Sequence, residues 1–264
     1  YRCTDRDKTM IIVSYGAGTN STAMLVGMKN QGIIPDLITF ADTGGETPNT
    51  YAHLDYMQKW CKDNGFPVIN VIAGQQPQQI IDGTLEQECL RLGVLPSRVY
   101  GAGSCSMKWK KEPQDRFIRG IESVQALWAS GEKPIKYIGY DADEERRANR
   151  DAFKIDKKFD YEFPLIEWEW GREECIEAID AEGIPRPGKS SCFYCPSMKQ
   201  WEIRKLAVTN PELMERAIAM EKNAAPKMTT ISGLGRSFAW ADLIATDDFF
   251  PESYIEEACG CYDG

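Results

Sequence analysis

The chain has 264 residues, enough for one large domain or a domain with a smaller annex, and enough to bury a real core. Apolar residues make up 42% and charged residues 27%, the proportions of a globular protein. The net charge of −9 counts against binding of duplex DNA, because phosphate contact needs a basic face, although 31 lysines and arginines leave room for a local basic groove.

No apolar run reaches the roughly 20 residues needed to span a bilayer. The opening Tyr1-Arg2-Cys3 lacks the charged-then-apolar plan of a signal peptide. The expectation is a soluble cytoplasmic protein with no membrane partner. Nine cysteines without a secretory signal read as reduced thiols or metal ligands, not a disulfide scaffold. The single histidine, His53, argues against a Cys–His or Ser-His-Asp mechanism.

In chain order, Met10–Ser14 is a short apolar run ending in a glycine-rich turn, and Ser21–Lys29 reads as a helix closed by Gly32. Asp36–Ala41 is a second strand, Thr47–Asp63 a helix with Pro48 in its first turn, and Pro67–Ala73 a third strand. Lys136–Tyr140 is a fourth. Continuous apolar strands separated by helices predict a doubly wound α/β fold, a parallel sheet covered on both faces with ligands at the carboxyl ends of its strands. Beyond about residue 160 helix signals dominate, at Arg172–Ala181, Met198–Val208 and Pro211–Asn223. The expected division is therefore an α/β nucleotide-binding domain over 1–160 and a mainly helical region over 161–264.

Ser14-Tyr15-Gly16-Ala17-Gly18-Thr19-Asn20-Ser21 joins the first strand to the first helix. Two glycines and an alanine let backbone N–H groups approach an anion, and Ser14, Thr19 and Ser21 add hydroxyls. The helix start adds free N–H groups and a partial positive charge. Without Gly-Lys-Ser/Thr at its end it is not a Walker A loop. The bland alternative is a capped strand–helix turn.

Asp42-Thr43-Gly44 with Glu46 follows the second strand, where carboxylates can hold magnesium or a ribose hydroxyl, or simply start a helix. Asp141, Asp143 and Glu144 with Arg147 follow the fourth strand and suit metal, substrate or anion contact; a solvated helix start reads equally from the residues alone. Lys108, Lys110 and Lys111 follow Cys105; spacing of two keeps Lys108 and Lys110 off one helix face. Cys192 and Cys195 form a C-x-x-C suited to zinc or an iron–sulfur cluster, with Cys105 and Cys175 as further candidates. Cys3, Cys61 and Cys89 read as structural.

These pieces resemble, in order over 14–201, the PP-loop adenine-nucleotide alpha hydrolases, and more closely their sulfonucleotide (PAPS) reductase-like branch. Its loop, S-x-G-G-G-K-D-S or S-G-G-x-D-S, is accompanied by D-T-G, C-x-x-x-W-K, A-D-E-x-x-R and C-x-x-C-P elements. Here these are Asp42-Thr43-Gly44, Cys105 through Trp109-Lys110, Ala142-Asp143-Glu144 with Arg147, and Cys192 through Cys195-Pro196. The resemblance implies ATP (or PAPS/APS) as ligand, with magnesium, and cleavage at the α-phosphate to AMP and pyrophosphate so as to activate an acceptor. Relatives of this kind act in sulfur insertion and nucleic-acid modification, with partner proteins in some cases. On chemistry rather than resemblance, Lys108, Asp42, Asp143 and Arg147 are the catalytic candidates: Lys108 or Lys110 to bring positive charge to phosphate, Asp42 or Asp143 to hold magnesium, and Arg147 to meet an anion. Ser14, Gly16, Gly18, Thr19, Asn20, Ser21, Thr43, Gly44, Glu46 and Lys110 would bind nucleotide.

Reductases with a [4Fe-4S] cluster pair the C-x-x-C with an adjacent Cys-Cys; here that pair is Ser104-Cys105. Cys175, on a helix with Ile176 and Ile179, reads equally as the replacement that completes a four-thiolate set or as a core residue, and zinc is the second choice of metal. The family's Lys-Asp in the loop is Thr19-Asn20. Two alternatives follow: a non-catalytic nucleotide sensor, or a thiol-dependent PAPS/APS reductase using Cys259 or Cys261, whose Glu257-Ala258-Cys259-Gly260 only partly matches a reductase ending.

Overall fold

A computed structural model describes residues 9–73, 83–96 and 105–246. Its centre is a sheet of five strands: β1 (Ile11–Ser14), β2 (Leu37–Asp42), β3 (Ile69–Ala73), β4 (Ile135–Ile138) and β5 (Asp160–Glu162). They pair in the order β3-β2-β1-β4-β5, every neighbouring pair parallel. Ile12 stands between Leu37 on β2 and Lys136 on β4. The three inner strands are almost wholly buried, whereas edge strand β3 alternates buried and exposed positions. This is the expected doubly wound sheet. Its fifth strand escaped the sequence because Asp160-Tyr161-Glu162 is three residues with two acids and no apolar run.

From β1 the chain runs through α1 (Thr19–Asn30) to β2 and through α2 (Pro48–Asp63) to β3. It then crosses by α3 (Leu85–Leu92), a π-helical segment Ser106–Lys111, α4 (Glu112–Arg119) and α5 (Glu122–Ser130) to β4, on the other side of β1. The strand order therefore reverses between β1 and β4, and a crevice opens there at the carboxyl ends. Short helices α6 (Glu145–Ala148) and α7 (Asp151–Lys154) lead to β5. After it come α8 (Pro164–Glu167), α9 (Arg172–Ala181), α10 (Gln200–Thr209), α11 (Pro211–Ala224) and α12 (Trp240–Ile244).

Two large apolar cores result, beside a smaller cluster of Ile12, Leu37, Ile118, Val124 and Phe159. One joins α1, β2 and α2 to α9 through Met24, Ile38, Met57 and Ile179. The other joins α3 and the π-helical segment to the C-x-x-C turn and α10–α12, through Leu85, Trp109, Phe193, Met214 and Trp240. Packing thus crosses residue 160 in both directions. Among the described residues no helix is long and apolar enough to cross a membrane.

The inner strand β4 carries a charge. Lys136 is 1% exposed, its ammonium pairs with Asp115 on α4, and it stands 4.0 Å from the centre of the Phe159 ring. Burial pushes its pKa down and Asp115 opposes that shift. Asp115→Asn would strand a buried cation, so urea unfolding at neutral pH is expected to show a loss of about 3 kcal/mol or more. Lys136→Met with Asp115→Leu should recover most of it, since a buried pair contributes little beyond an apolar pair of similar volume.

Candidate active site

The loop Ser14–Gly18 leaves β1 where the strand order reverses. Tyr15 extends the sheet by donating its N–H to Thr39 O at 2.8 Å. Ala17 takes a left-handed conformation, φ 57°. Ser21 Oγ sits at the centre of the turn: it accepts from Gly16 N at 3.2 Å and Gly18 N at 3.3 Å, and donates to Gly18 O. Ser14 is 1% exposed and its Oγ has no partner among the described residues. The first-turn N–H groups of α1 have no intrahelical acceptor by construction.

Gly139 admits this helix end to the crevice. A Cβ there would lie 3.0 Å from both N and Cα of Ser21 and 3.1 Å from the carbonyl carbon of Asn20. The sequence reading absorbed Gly139 into the fourth strand. A glycine inside a strand pattern is the available signal of close backbone approach.

Asn20 is 7% exposed and fully engaged. Its Nδ2 donates to Asp141 Oδ2 at 2.8 Å and to Glu144 Oε2 at 3.2 Å. Its Oδ1 accepts from Arg172 Nη1 at 3.2 Å. Glu144 also pairs with Arg147, whose guanidinium lies 4.2 Å from the Tyr140 ring centre. Burial raises the carboxyl pKa of both Asp141 and Glu144. Asp143 stands exposed beside this group. Thr19 is buried in the first turn of α1. His53 is spent on Thr22 Oγ1 at 3.0 Å, and burial lowers its pKa to about 4.

On the β2 side, Asp42 Oδ1 accepts from Gly44 N at 2.7 Å and Tyr51 OH at 2.8 Å, so this carboxylate shapes its own turn. Thr43 Oγ1 lies 3.3 Å from Glu46 Oε1 and 3.0 Å from Cys192 Sγ. Lys110 Nζ stands 3.5 Å from Glu46 Oε1. Gly45 is needed for space, because a Cβ would fall 2.4 Å from Tyr194 OH. Lys108, expected at phosphate, is instead paired with Glu88 on α3 at 2.5 Å, and Trp109 Nε1 donates to the same carboxylate at 2.9 Å. Trp109 is core.

The segment before the C-x-x-C reaches both loops. Ser190 Oγ donates to Gly16 O, while Phe193 N donates to Gly45 O at 2.8 Å and Glu46 bridges Cys192. Cys105, Cys192 and Cys195 line one small cavity with Thr43, Ser191 and Lys110. Cys175 is not among them. It is fully buried on α9 in the other core, with its pKa raised to about 12 by burial. Cys89, read as structural, packs in the same core as Cys192 and Cys195. Burial, then the Glu46 carboxylate, raise the Cys192 thiol. Three thiols with no imidazole are donor types that a soft metal or cluster takes. No three His, Cys, Asp or Glu side chains among the described residues stand close enough to chelate one ion. The tail cysteines Cys259 and Cys261 lie outside the described residues.

Fold and site together define a doubly wound α/β protein with a glycine loop at the reversal of its strand order. The chain matches no protein-family model and none of the curated proteins. Among solved structures it is similar to the U34-tRNA thiolase NcsA from Methanococcus maripaludis with its [4Fe-4S] cluster. The identity is 13%, the likeness covers 94% of this chain and 84% of that one, and the TM-score is 0.44.

The Asn20 contacts yield a test. Asn20→Asp would exchange two amide donors for a third carboxylate beside Asp141 and Glu144. The expected loss of stability is about 2 kcal/mol at pH 8. The two raised carboxyls bind protons in the folded state before they do in the unfolded chain. Acidification toward pH 5 should therefore shrink the deficit. Thermal melts of both proteins at the two pH values check this.

Proposed function

We propose that the protein is an ATP pyrophosphatase of the PP-loop type, cleaving ATP at the α-phosphate to AMP and pyrophosphate and so activating an acceptor. The observation that carries this reading is the glycine loop placed at the β1/β4 reversal and tied to the cysteine segment through Ser190 and Gly16. The order of motifs along the sequence supports the PAPS reductase-like branch.

In this reading the loop N–H groups and the start of α1 hold the leaving pyrophosphate, aided by Ser14, Thr19 and Ser21. Asp42 and Asp143 are the residues that would hold magnesium, which would supply positive charge at the phosphates. Arg147 and Lys108 offset developing charge, Lys108 on leaving Glu88. Thr43, Gly44, Glu46 and Lys110 form the wall shared with the cysteines. Cys105, Cys192 and Cys195 are the residues that would hold an iron–sulfur cluster, with zinc as the alternative. When bound, the cluster would supply a soft, thiolate-held Lewis acid beside the activated acceptor. The acceptor chemistry that suits such a neighbour is sulfur insertion, including into a nucleic-acid base.

Incubation of anaerobically purified protein with ATP and magnesium, followed by separation of nucleotides, should give AMP and pyrophosphate. ADP as product would overturn the reading. Metal analysis gives a separate expectation. Cys195→Ser should lose most iron and acid-labile sulfide, whereas Cys175→Ser should keep them and lose only about 1–3 kcal/mol of stability in urea.

A further inference from the structure

The loop Ser14–Ser21 contains no lysine or arginine, yet an anion held there needs more positive charge than backbone groups supply. Lys108 and Lys110, its nearest sequence candidates, are paired with Glu88 and Glu46. Arg147 is paired with Glu144. The cation that touches the phosphate helix directly is Arg172, which the sequence did not single out. Resting on the nucleotide-site reading above, we propose that Arg172 is the phosphate-binding guanidinium of this site, supplied in trans to the loop by the first turn of α9.

Three observations support it. The Arg172 Nη1 donates to Asn20 Oδ1 at 3.2 Å, and Asn20 is the second residue of α1, whose N-terminus faces the loop. Arg172 Nε is buried with no hydrogen-bond partner among the described residues. A guanidinium has five N–H donors, so most of its capacity remains for an acceptor.

The third observation is electrostatic. Arg172 opens α9, at the positive end of the helix dipole, where acidic residues such as its neighbours Glu173 and Glu174 are favoured and a cation is not. Asp141 partly compensates, since Arg172 lies near enough to act on that carboxyl. The position is held by backbone: Ala142 N donates to Trp170 O at 2.8 Å, docking the start of α9 on the turn after β4. Asp141 and Glu144 are then balanced by Arg147 and Arg172, so a phosphate enters a locally neutral setting despite the acidic chain.

Titration calorimetry on the full chain with Mg–ATP and with adenosine separates phosphate contact from base contact. Arg172→Gln should weaken Mg–ATP binding about tenfold or more, the scale of one charged contact, and adenosine binding less than about twofold. Arg172→Lys, which keeps the charge, should recover part of the ATP affinity and serves if the glutamine variant does not fold. An unchanged ratio of ATP to adenosine affinity in a folded variant would overturn the proposal, leaving Arg172 a brace for Asn20. If the parent protein binds no Mg–ATP, the nucleotide reading itself fails, and Arg172 with it. If the parent binds ATP and the folded variants keep that affinity, the loop reading survives and the Arg172 assignment alone falls.

Discussion

The closeness of α1 to the end of β4 governs the rest of the site. Reversal of strand order between β1 and β4 opens a crevice, and Gly139 lets backbone at Asn20 and Ser21 approach within contact distance of the β4 end. A side chain there would push the helix start out of the crevice. The Asn20 contacts to Asp141 and Glu144 and the Arg172 contact to Asn20 all depend on that approach. Packing forces the geometry because protein interiors have no slack to absorb a methyl group without movement.

Charge is handled locally. Asn20 places amide donors between two buried carboxylates, where an aspartate would add like-charge repulsion in a setting of low dielectric. Lys110 sits on Glu46 beside the thiols, and Arg147 on Glu144. Net charge of −9 therefore says little about this pocket, where two of the acids are met by bases at short range.

The C-terminal half is part of the site and not an appendage to it. Ser190 reaches the loop carbonyl of Gly16, and two residues later Cys192 bridges Glu46 in the turn after β2. Helix α9 packs on α1 from the opposite direction, so both halves hold the crevice in place.

The sequence by itself determined the parallel α/β class, four of the five strands and the long helices, because apolar runs and 3.6-residue patterns are local signals. It also located the glycine loop, the Asp42-Thr43-Gly44 turn and the C-x-x-C, since each is a contiguous set of residues whose chemistry is evident at short range. Only the tertiary structure decided which distant groups meet. Cys175 and Cys192 both read as candidate metal ligands, yet one faces the α1 core and the other a shared cavity with Cys105 and Cys195. Lys108 stood out through its motif and Arg172 did not; the ion pair of Lys108 with Glu88 and the contact of Arg172 with Asn20 span 20 and 152 residues of chain, which no local pattern reveals. Side-chain direction and long-range pairing follow from packing of whole elements, and no local pattern carries them.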